Sequence, residues 1–180
     1  MSVGQKLKIC VAGPKCSGKT FLCKLLAEQV CAIDEYQPTA GVRVQELDYS
    51  VEGRSMQLQL WDCSGDLNYA KYSPVLCKDA NGVVLVYDAS KREEQEQEVE
   101  NFYRLFAQPN GLAISQVLVV SVSKEENGEE VSLQGRLKAL PRAHLNLSPP
   151  DGKGNYREVS ASLLPRLDKL LKATLAKLPQ

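Results

Sequence analysis

A glycine-rich octapeptide near the start of the chain restricts the possible folds more than any other feature. It reads GPKCSGKT from Gly13 to Thr20 and fits the pattern G-x-x-x-x-G-K-T. An apolar run at residues 6–12 precedes it, and apolar residues at helical spacing follow it from Phe21 onward. In this strand–loop–helix order the glycines let successive N–H groups turn inward and form a nest for phosphate oxygens. The octapeptide therefore predicts a loop that binds the phosphates of a nucleotide.

Two side chains of this octapeptide have specific expected contacts. The ammonium group of Lys19 is expected to bridge the terminal phosphates, and the hydroxyl of Thr20 is expected to ligate Mg²⁺. The alternative is a degenerate loop that keeps the pattern but no longer binds. The residues predicted to contact the nucleotide here are Gly13, Pro14, Lys15, Cys16, Ser17, Gly18, Lys19 and Thr20.

Strand and helix patterns alternate along the middle of the chain. Two runs of alternating polarity, residues 42–49 and 56–60, flank a glycine-containing turn and predict a β-hairpin. The apolar, β-branched runs 82–88 and 116–122 are typical of central parallel strands. An amphipathic helix is predicted between these two strands, from about Ser90.

The carboxyl-terminal part is predicted as a loop, a strand and a helix. Residues 141–155 are rich in proline and glycine and predict a long loop, and residues 156–160 predict a last short strand. Leucines from Leu163 to Leu175 predict an amphipathic helix. The whole pattern predicts one α/β domain over residues 1–180. Its expected fold is a three-layer, doubly wound, mainly parallel six-stranded sheet with one antiparallel hairpin.

The composition argues against several classes of function. Lys plus Arg (22) equals Asp plus Glu (22), so no long-range field favours nucleic acid or an anionic membrane, and neither is expected as a partner. None of the six cysteines forms a C-x-x-C pair, and the only histidine is His144 in a proline-rich stretch. A zinc site or a histidine-based catalytic triad is therefore not expected. His144 itself is predicted to be an exposed structural residue.

The chain is expected to be cytoplasmic and to lack a membrane anchor of its own. No apolar run approaches the ~18 residues of a membrane span, and no signal peptide is visible. Ser2 excludes myristoylation, and no cysteine follows Cys77, so a prenylation signal is absent. The cysteines are expected to be reduced. Any attachment to a membrane would have to come through a partner.

A second motif, WDCSGD at residues 61–66, follows the second strand of the predicted hairpin. Asp62 can hold Mg²⁺ through a water, and the Gly65 amide can meet a γ-phosphate. The pattern D-x-x-G alone is weak evidence, since an aspartate and a glycine at the end of a strand usually form a turn. The position after a hairpin makes the motif informative.

Three segments together resemble the Rab-like small GTPases. GPKCSGKT, YQPTAGV (residues 36–42) and LWDCSGD (residues 60–66) are similar to the P-loop, switch I and switch II of that family. With the missing prenylation tail and the LSPP segment at residues 147–150, they resemble more narrowly the Rab-like subunits of intraflagellar transport complex B. The resemblance is specific over about residues 6–90 and loose afterwards.

The resemblance implies a G domain with the P-loop at residues 13–20, switch I at about 32–42 and switch II at about 62–76. It implies GTP or GDP and Mg²⁺ as cofactors. It also implies coiled-coil subunits of complex B as partners, bound through the switches in the cytoplasm and in the cilium or flagellum and its base. Carried over by position, Thr39 is the switch I threonine, so the expected metal ligands are Thr20, Thr39 and Asp62.

Two departures from the family pattern lie near the expected γ-phosphate. Asp66 occupies the position where hydrolysing relatives place a glutamine that orients the attacking water. A carboxylate cannot donate a hydrogen bond to the transition state and repels the phosphates. Lys15 stands where relatives often have a small residue, so it would obstruct an incoming arginine finger. Hydrolysis is therefore expected to be slow, and no catalytic residue is assigned.

The base-binding residues depart from the family as well. Where relatives have N-K-x-D, this chain has Ser123, Lys124, Glu125 and Glu126. Lys124 keeps the aliphatic platform, and Glu126 offers a carboxylate on a longer stem, although Glu126 is alternatively part of a solvated acidic loop.

A second base contact is carried over from the resemblance. Ser160 and Ala161 stand where the family contacts the base, and the alternative there is a helix cap by Ser160 or Ser162. The predicted base contacts are Ser123, Lys124, Glu126, Ser160 and Ala161, and the preference for guanine rests mainly on the resemblance.

Three functions compete on these observations. The leading hypothesis is an interaction module in which GTP or GDP orders the switches and the ordered surface docks a partner. Tyr36 and the stretch from Tyr69 to Tyr72 are the candidate anchors, and the alternative for these aromatic residues is packing on neighbouring helices. The second is a cycling GTPase enzyme with its own activating protein. The third, a P-loop kinase, is disfavoured because the predicted hairpin and the arginine-poor middle of the chain do not fit such an enzyme.

Overall fold

The computed structural model describes residues 5–28, 37–125, 133–147 and 163–178. The strands are β1 (Gln5–Ala12), β2 (Val42–Val51), β3 (Arg54–Cys63), β4 (Gly82–Asp88), β5 (Val117–Ser123) and β6 (Arg142–Asn146). The α-helices are α1 (Lys19–Leu26), α2 (Ser73–Leu76), α3 (Arg92–Phe106) and α4 (Leu164–Leu175). A 3₁₀ helix, Leu67–Tyr72, lies between β3 and α2.

The six strands form one sheet in the order β2-β3-β1-β4-β5-β6. Only β2 and β3 are antiparallel; the other neighbouring strands run parallel. The hairpin turn consists of Glu52 and Gly53, both with positive φ (50° and 76°), which is the geometry of a two-residue type I′ turn. The predicted hairpin and the predominantly parallel, six-stranded doubly wound sheet are confirmed.

Helices cover the sheet on both faces. On one face, Leu7, Ile9 and Val11 of β1 pack with leucines of α1 and α4. On the other face, Cys10 and Ala12 of β1 belong to a second core cluster with aromatic residues of α3. The central strands β4 and β5 are buried along their whole length because both of their faces are covered, which explains their continuous apolar sequences.

The prediction of a loop over residues 141–155 was wrong at its start. Residues 142–146 form β6, which pairs in parallel with β5. Ala143 and Leu145 are buried and alternate with half-buried neighbours, as in an edge strand. Pro141 precedes the strand, where its missing N–H is not needed, and its carbonyl accepts a hydrogen bond from the Val119 amide (2.8 Å). The density of prolines further along hid this short alternation.

His144 is not the exposed loop residue that the sequence predicted. It lies half-buried on β6, and its Nδ1 is 2.9 Å from the hydroxyl oxygen of Ser121 on β5. The strand predicted at residues 156–160 falls outside the described residues. Among the residues that are described, no helix is both long and apolar enough to span a bilayer.

The parallel strands bring four connecting segments to one edge of the sheet. The octapeptide follows β1, Ser64 follows β3, Lys124 follows β5 and Leu147 follows β6, each at the carboxyl end of its strand. In open α/β sheets, ligands bind in the crevice outside this edge. The fold therefore predicts a ligand site there.

Candidate functional site

A cavity of about 680 Å³ opens at this edge, within the range of ordinary ligand pockets. Its lining comes from the octapeptide and α1, from β2 and the segment before it, from the turn and 3₁₀ helix after β3, and from the residues that follow β5 and β6. The lining residues are Lys15, Cys16, Ser17, Gly18, Lys19, Thr20, Phe21, Lys24, Gln37, Pro38, Thr39, Ala40, Arg43, Ser64, Gly65, Asp66, Tyr69, Lys124 and Leu147.

Two glycines let the octapeptide lie directly against the sheet. Gly13 has a φ of 146°, and a Cβ atom there would be 2.0 Å from the carbonyl oxygen of Val86 on β4. Gly18 has a φ of 92° and occupies the N-cap position of α1, where a Cβ atom would lie 3.1 Å from a methyl group of Val122. The loop therefore leads into the amino-terminal end of α1, whose free N–H groups favour an anion.

Lys19 is only 6% exposed although it carries a charge. Its Nζ atom donates to the carbonyl oxygens of Gly13 (2.9 Å) and Pro14 (2.6 Å) and lies 3.4 Å from the hydroxyl oxygen of Ser17. Burial lowers the pKa of Lys19 to about 8, and the nearby Asp62 carboxylate offsets part of this effect. An ammonium group held in this way would gain stability from a phosphate.

Three oxygen-bearing side chains meet beside Lys19. The Thr20 hydroxyl donates to Oδ2 of Asp62 (2.7 Å), and the Thr39 hydroxyl oxygen lies 3.1 Å from that of Thr20 and 3.3 Å from Oδ2. The structure therefore brings the three predicted metal ligands, Thr20, Thr39 and Asp62, together. Thr39 reaches them because Val42 pairs with Cys63 across the hairpin.

The Asp62 carboxylate fits a divalent cation. It is fully buried, and its Oδ1 atom has no hydrogen-bond partner among the described residues. Burial raises the pKa of Asp62, while the Thr20 hydroxyl and the Lys19 ammonium work in the opposite direction. An unsatisfied buried carboxylate oxygen is costly. Two hydroxyls and one carboxylate, completed by phosphate oxygens and water, are the hard oxygen ligands that Mg²⁺ prefers.

The turn after β3 lies against the octapeptide. A Cβ atom on Gly65 would be 2.5 Å from the Lys15 amide nitrogen and 2.6 Å from the Pro14 carbonyl carbon, so only glycine fits. Next to it, the Asp66 carboxylate lies 2.9 Å from the Nζ atom of Lys15. Lys15 and Asp66, the two departures from the family pattern near the expected γ-phosphate, are thus in direct contact.

The base end of the cavity is described only in part. Lys124 lines it, whereas Ser123 is buried and its hydroxyl accepts a hydrogen bond from the Glu125 amide (3.1 Å). The remaining predicted base contacts, Glu126, Ser160 and Ala161, lie outside the described residues, as does Tyr36 of switch I. These assignments stay predictions.

Several residues of the site were missed in the sequence. Leu147 lines the cavity because it follows β6, so recognising that strand would have revealed it. Gln95 on α3 is buried; its side-chain oxygen accepts from the Asp88 amide (2.9 Å), and its amide nitrogen lies 3.5 Å from the Lys15 carbonyl oxygen. A polar residue on the buried face of a helix was the available signal. Gln95 connects the octapeptide to α3.

The pKa of Lys19 predicts how phosphate binding depends on pH. A bound phosphate raises this pKa, so binding is strongest while the free ammonium is charged, below about pH 8, and weakens as the pH rises through that value. Nucleotide affinity should fall about fourfold between about pH 7 and about pH 8.5. Calorimetric titrations with nucleotide across this pH range measure the fall. In the variant Lys19→Arg, whose side chain stays charged, the nucleotide affinity that remains should not change over the same range. A flat or rising wild-type affinity would contradict the prediction.

Comparison with known proteins identifies the family of this chain. The family model for Ras of Complex, Roc, domain of DAPkinase matches residues 8–125. Intraflagellar transport protein 22 from Chlamydomonas reinhardtii is 39% identical over 163 residues, which cover 87% of this chain and 84% of that protein. The Homo sapiens homolog of intraflagellar transport protein 22 is 36% identical over 150 residues, which cover 79% of this chain and 80% of that protein.

Among solved structures, the GTP-bound crystal structure of T. brucei IFT22/74/81 matches with a TM-score of 0.70 and 22% identity. The match covers 96% of this chain and 98% of the other, and at this identity it supports the fold. The resemblance drawn from the three sequence segments is confirmed by the more similar relatives. The chain belongs to the intraflagellar transport protein 22 family of Rab-like small GTPases.

Proposed function

We propose that this protein is a Mg²⁺-dependent GTP- and GDP-binding subunit of intraflagellar transport complex B, in which the nucleotide prepares the switch regions to dock a partner. This proposal rests on Lys19, Thr20 and Thr39, which line a nucleotide-sized cavity, and on the Asp62 carboxylate, which accepts hydrogen bonds from both hydroxyls. The protein would work in the cytoplasm and in the cilium or flagellum and its base.

Each group in the cavity has a separate task in nucleotide binding. The octapeptide amides and the Lys19 ammonium hold the phosphates, and the Gly65 amide lies close enough to the octapeptide to meet the terminal one. Thr20, Thr39 and Asp62 would hold Mg²⁺, and the ion would supply positive charge to the phosphate oxygens. Because Thr39 belongs to switch I, binding at this point would position that segment.

The metal site generates a test of this assignment. Calorimetry with GTP, GDP and ATP should show GTP and GDP binding with Mg²⁺ present and much weaker binding with EDTA. Asp62→Ala should weaken Mg²⁺-dependent binding by about 10–100-fold, as is usual when a group that orients a metal ligand is lost. Asp48→Ala, which removes an exposed aspartate from the same hairpin, is the matched control and should bind like the wild type.

The identity of the bound nucleotide tests the base preference separately. Nucleotide extracted from the purified protein and identified by chromatography should be GTP or GDP. Adenine nucleotide would overturn the preference for guanine. Failure of all three nucleotides to bind at millimolar concentration would overturn the proposed function as a whole.

Hydrolysis is proposed to be slow because of Asp66. A carboxylate at this position can only accept hydrogen bonds, so it cannot donate one to the transition state as a glutamine can. Single-turnover phosphate release should therefore not exceed about 5 × 10⁻⁴ s⁻¹, the intrinsic rate of a small GTPase that has the glutamine. Asp66→Gln should raise the rate toward that value. A wild-type rate well above it would show that this protein is an efficient enzyme without the glutamine.

Exposed apolar side chains after Asp66 support docking through switch II. Leu67, Tyr72 and Val75 are exposed, and the rings of Tyr69 and Tyr72 lie 6.3 Å apart. Aromatic residues in this setting often anchor interfaces. The T. brucei structure contains components 74 and 81 together with IFT22. We infer that this chain docks the corresponding subunits, which we expect to be coiled coils.

Substitutions on this surface test the docking proposal. Tyr72→Ala should weaken binding to the partner complex by about tenfold or more, as expected for an aromatic anchor. Thr39→Ala should also weaken it, through loss of the nucleotide-dependent position of switch I. Ile114→Ala is a matched control, because Ile114 is an exposed apolar residue at the amino end of β5, away from the cavity. Undiminished affinity in both switch variants would refute docking through this surface.

A further inference from the structure

Lys15 and Asp66 form an ion pair in the lining of the cavity. The Lys15 Nζ atom lies 2.9 Å from Oδ2 of Asp66, and both residues line the cavity. Lys15 belongs to the P-loop and Asp66 to switch II. The pair therefore joins two segments on either side of the place where the Gly65 amide would meet a third phosphate.

The backbone around this ion pair holds the two side chains together. Gly65 lies so close to Pro14 and Lys15 that no larger residue fits, which places Asp66 next to Lys15. The Asp66 amide lies 3.2 Å from the hydroxyl oxygen of Ser64, which accepts its hydrogen bond. Their proximity is thus set by the main chain as well as by the attraction of the charges.

The same carboxylate starts the exposed part of switch II. Its Oδ1 atom accepts a hydrogen bond from the Asn68 amide (2.9 Å) and caps the 3₁₀ helix Leu67–Tyr72. Hydrogen bonding from Asn68 and the Lys15 ammonium both lower the pKa of Asp66, so it is ionised at neutral pH. One oxygen of Asp66 thus faces the P-loop, and the other faces the segment that carries the proposed docking residues.

A third phosphate would act differently on the two charges. A terminal phosphate carries about −1.5 to −2 charges at pH 7. It attracts Lys15, since charge-assisted hydrogen bonds to phosphate are among the strongest that proteins form. It repels Asp66. A diphosphate ends before this point, so it leaves the ion pair in place.

On the basis of the nucleotide binding proposed above, we propose that the Lys15–Asp66 pair senses the third phosphate. With a diphosphate bound, Lys15 stays with Asp66 and ties switch II to the P-loop. With a triphosphate bound, the Lys15 ammonium moves to the terminal phosphate, and Asp66 keeps only its bond to the Asn68 amide. Lys15 and Asp66, which depart from the family pattern, would then set the preference between triphosphate and diphosphate. Binding of the triphosphate would also release the first residues of switch II from the P-loop.

The ratio of two dissociation constants measures this directly. The ratio is that for GDP divided by that for a non-hydrolysable GTP analogue, determined by calorimetry with Mg²⁺ on the full chain. Lys15→Met should lower the ratio about tenfold, the loss expected for one hydrogen bond to a charged group. Asp66→Asn should raise the ratio about three- to tenfold, because both the competition for Lys15 and the repulsion are removed.

A distant ion pair supplies the control. Lys172 on α4 lies 2.6 Å from the Glu52 carboxylate at the hairpin turn, and both are exposed. Lys172→Met removes a comparable surface ion pair and should leave the ratio unchanged. Thermal unfolding of all three variants should match the wild type, since Lys15 and Lys172 are exposed and asparagine caps a helix as well as aspartate does.

The outcomes separate this inference from the proposed function. If the wild type binds neither nucleotide, the proposed function fails. If the wild type binds both, but Lys15→Met weakens GDP and the GTP analogue equally, Lys15 does not distinguish the third phosphate and the inference is overturned. A ratio that Asp66→Asn lowers or leaves unchanged overturns it as well, because Asp66 would then not compete for Lys15.

Discussion

The burial of Lys19 beside Asp62 is the interaction on which the rest of the site depends. Both residues carry charges that have been removed from water, and burying charged groups is costly unless they are paired and hydrogen-bonded. The carbonyls of Gly13 and Pro14 and the hydroxyls of Thr20 and Thr39 satisfy part of this requirement. One carboxylate oxygen is left without a partner in the described structure. A polyphosphate and a divalent cation would complete this arrangement, which explains why it lies in a nucleotide-sized cavity.

The sheet holds these charges in place through close backbone approaches. Gly13 touches β4, Gly18 packs on β5, and Gly65 lies against the P-loop, so the phosphate-binding loop is confined on three sides. The hairpin then carries switch I to the same point, because the Ser64 amide donates to the Gly41 carbonyl oxygen (2.8 Å) just beyond the β2–β3 ladder. A change in the ligand at this point would therefore affect both switch segments.

The elements that were predicted correctly from the sequence are those with a strong local pattern of polar and apolar residues. In the hairpin, polar and apolar residues alternate on both sides of a Glu-Gly turn. Strands β4 and β5 are continuous apolar runs, as is typical of strands that are covered on both faces. The missed strand, β6, has just five residues and stands next to a region rich in proline and glycine. Its pairing with β5 makes it a strand, and no local pattern encodes that pairing. The roles of His144 and Leu147 were missed for the same reason.

By itself, the sequence determined the phosphate-binding loop, the hairpin and the family, because each is encoded in a short run of residues whose spacing has one main physical use. The tertiary structure alone decided how other distant side chains meet. Thr20 and Asp62, 42 positions apart, meet as the resemblance implied, whereas no pattern in either segment predicts that Lys15 contacts Asp66. Such pairs depend on the register of β1 with β3 and on the tight fit of Gly65 against the P-loop. Both are set by packing over the whole sheet, so neither can be deduced from a local pattern.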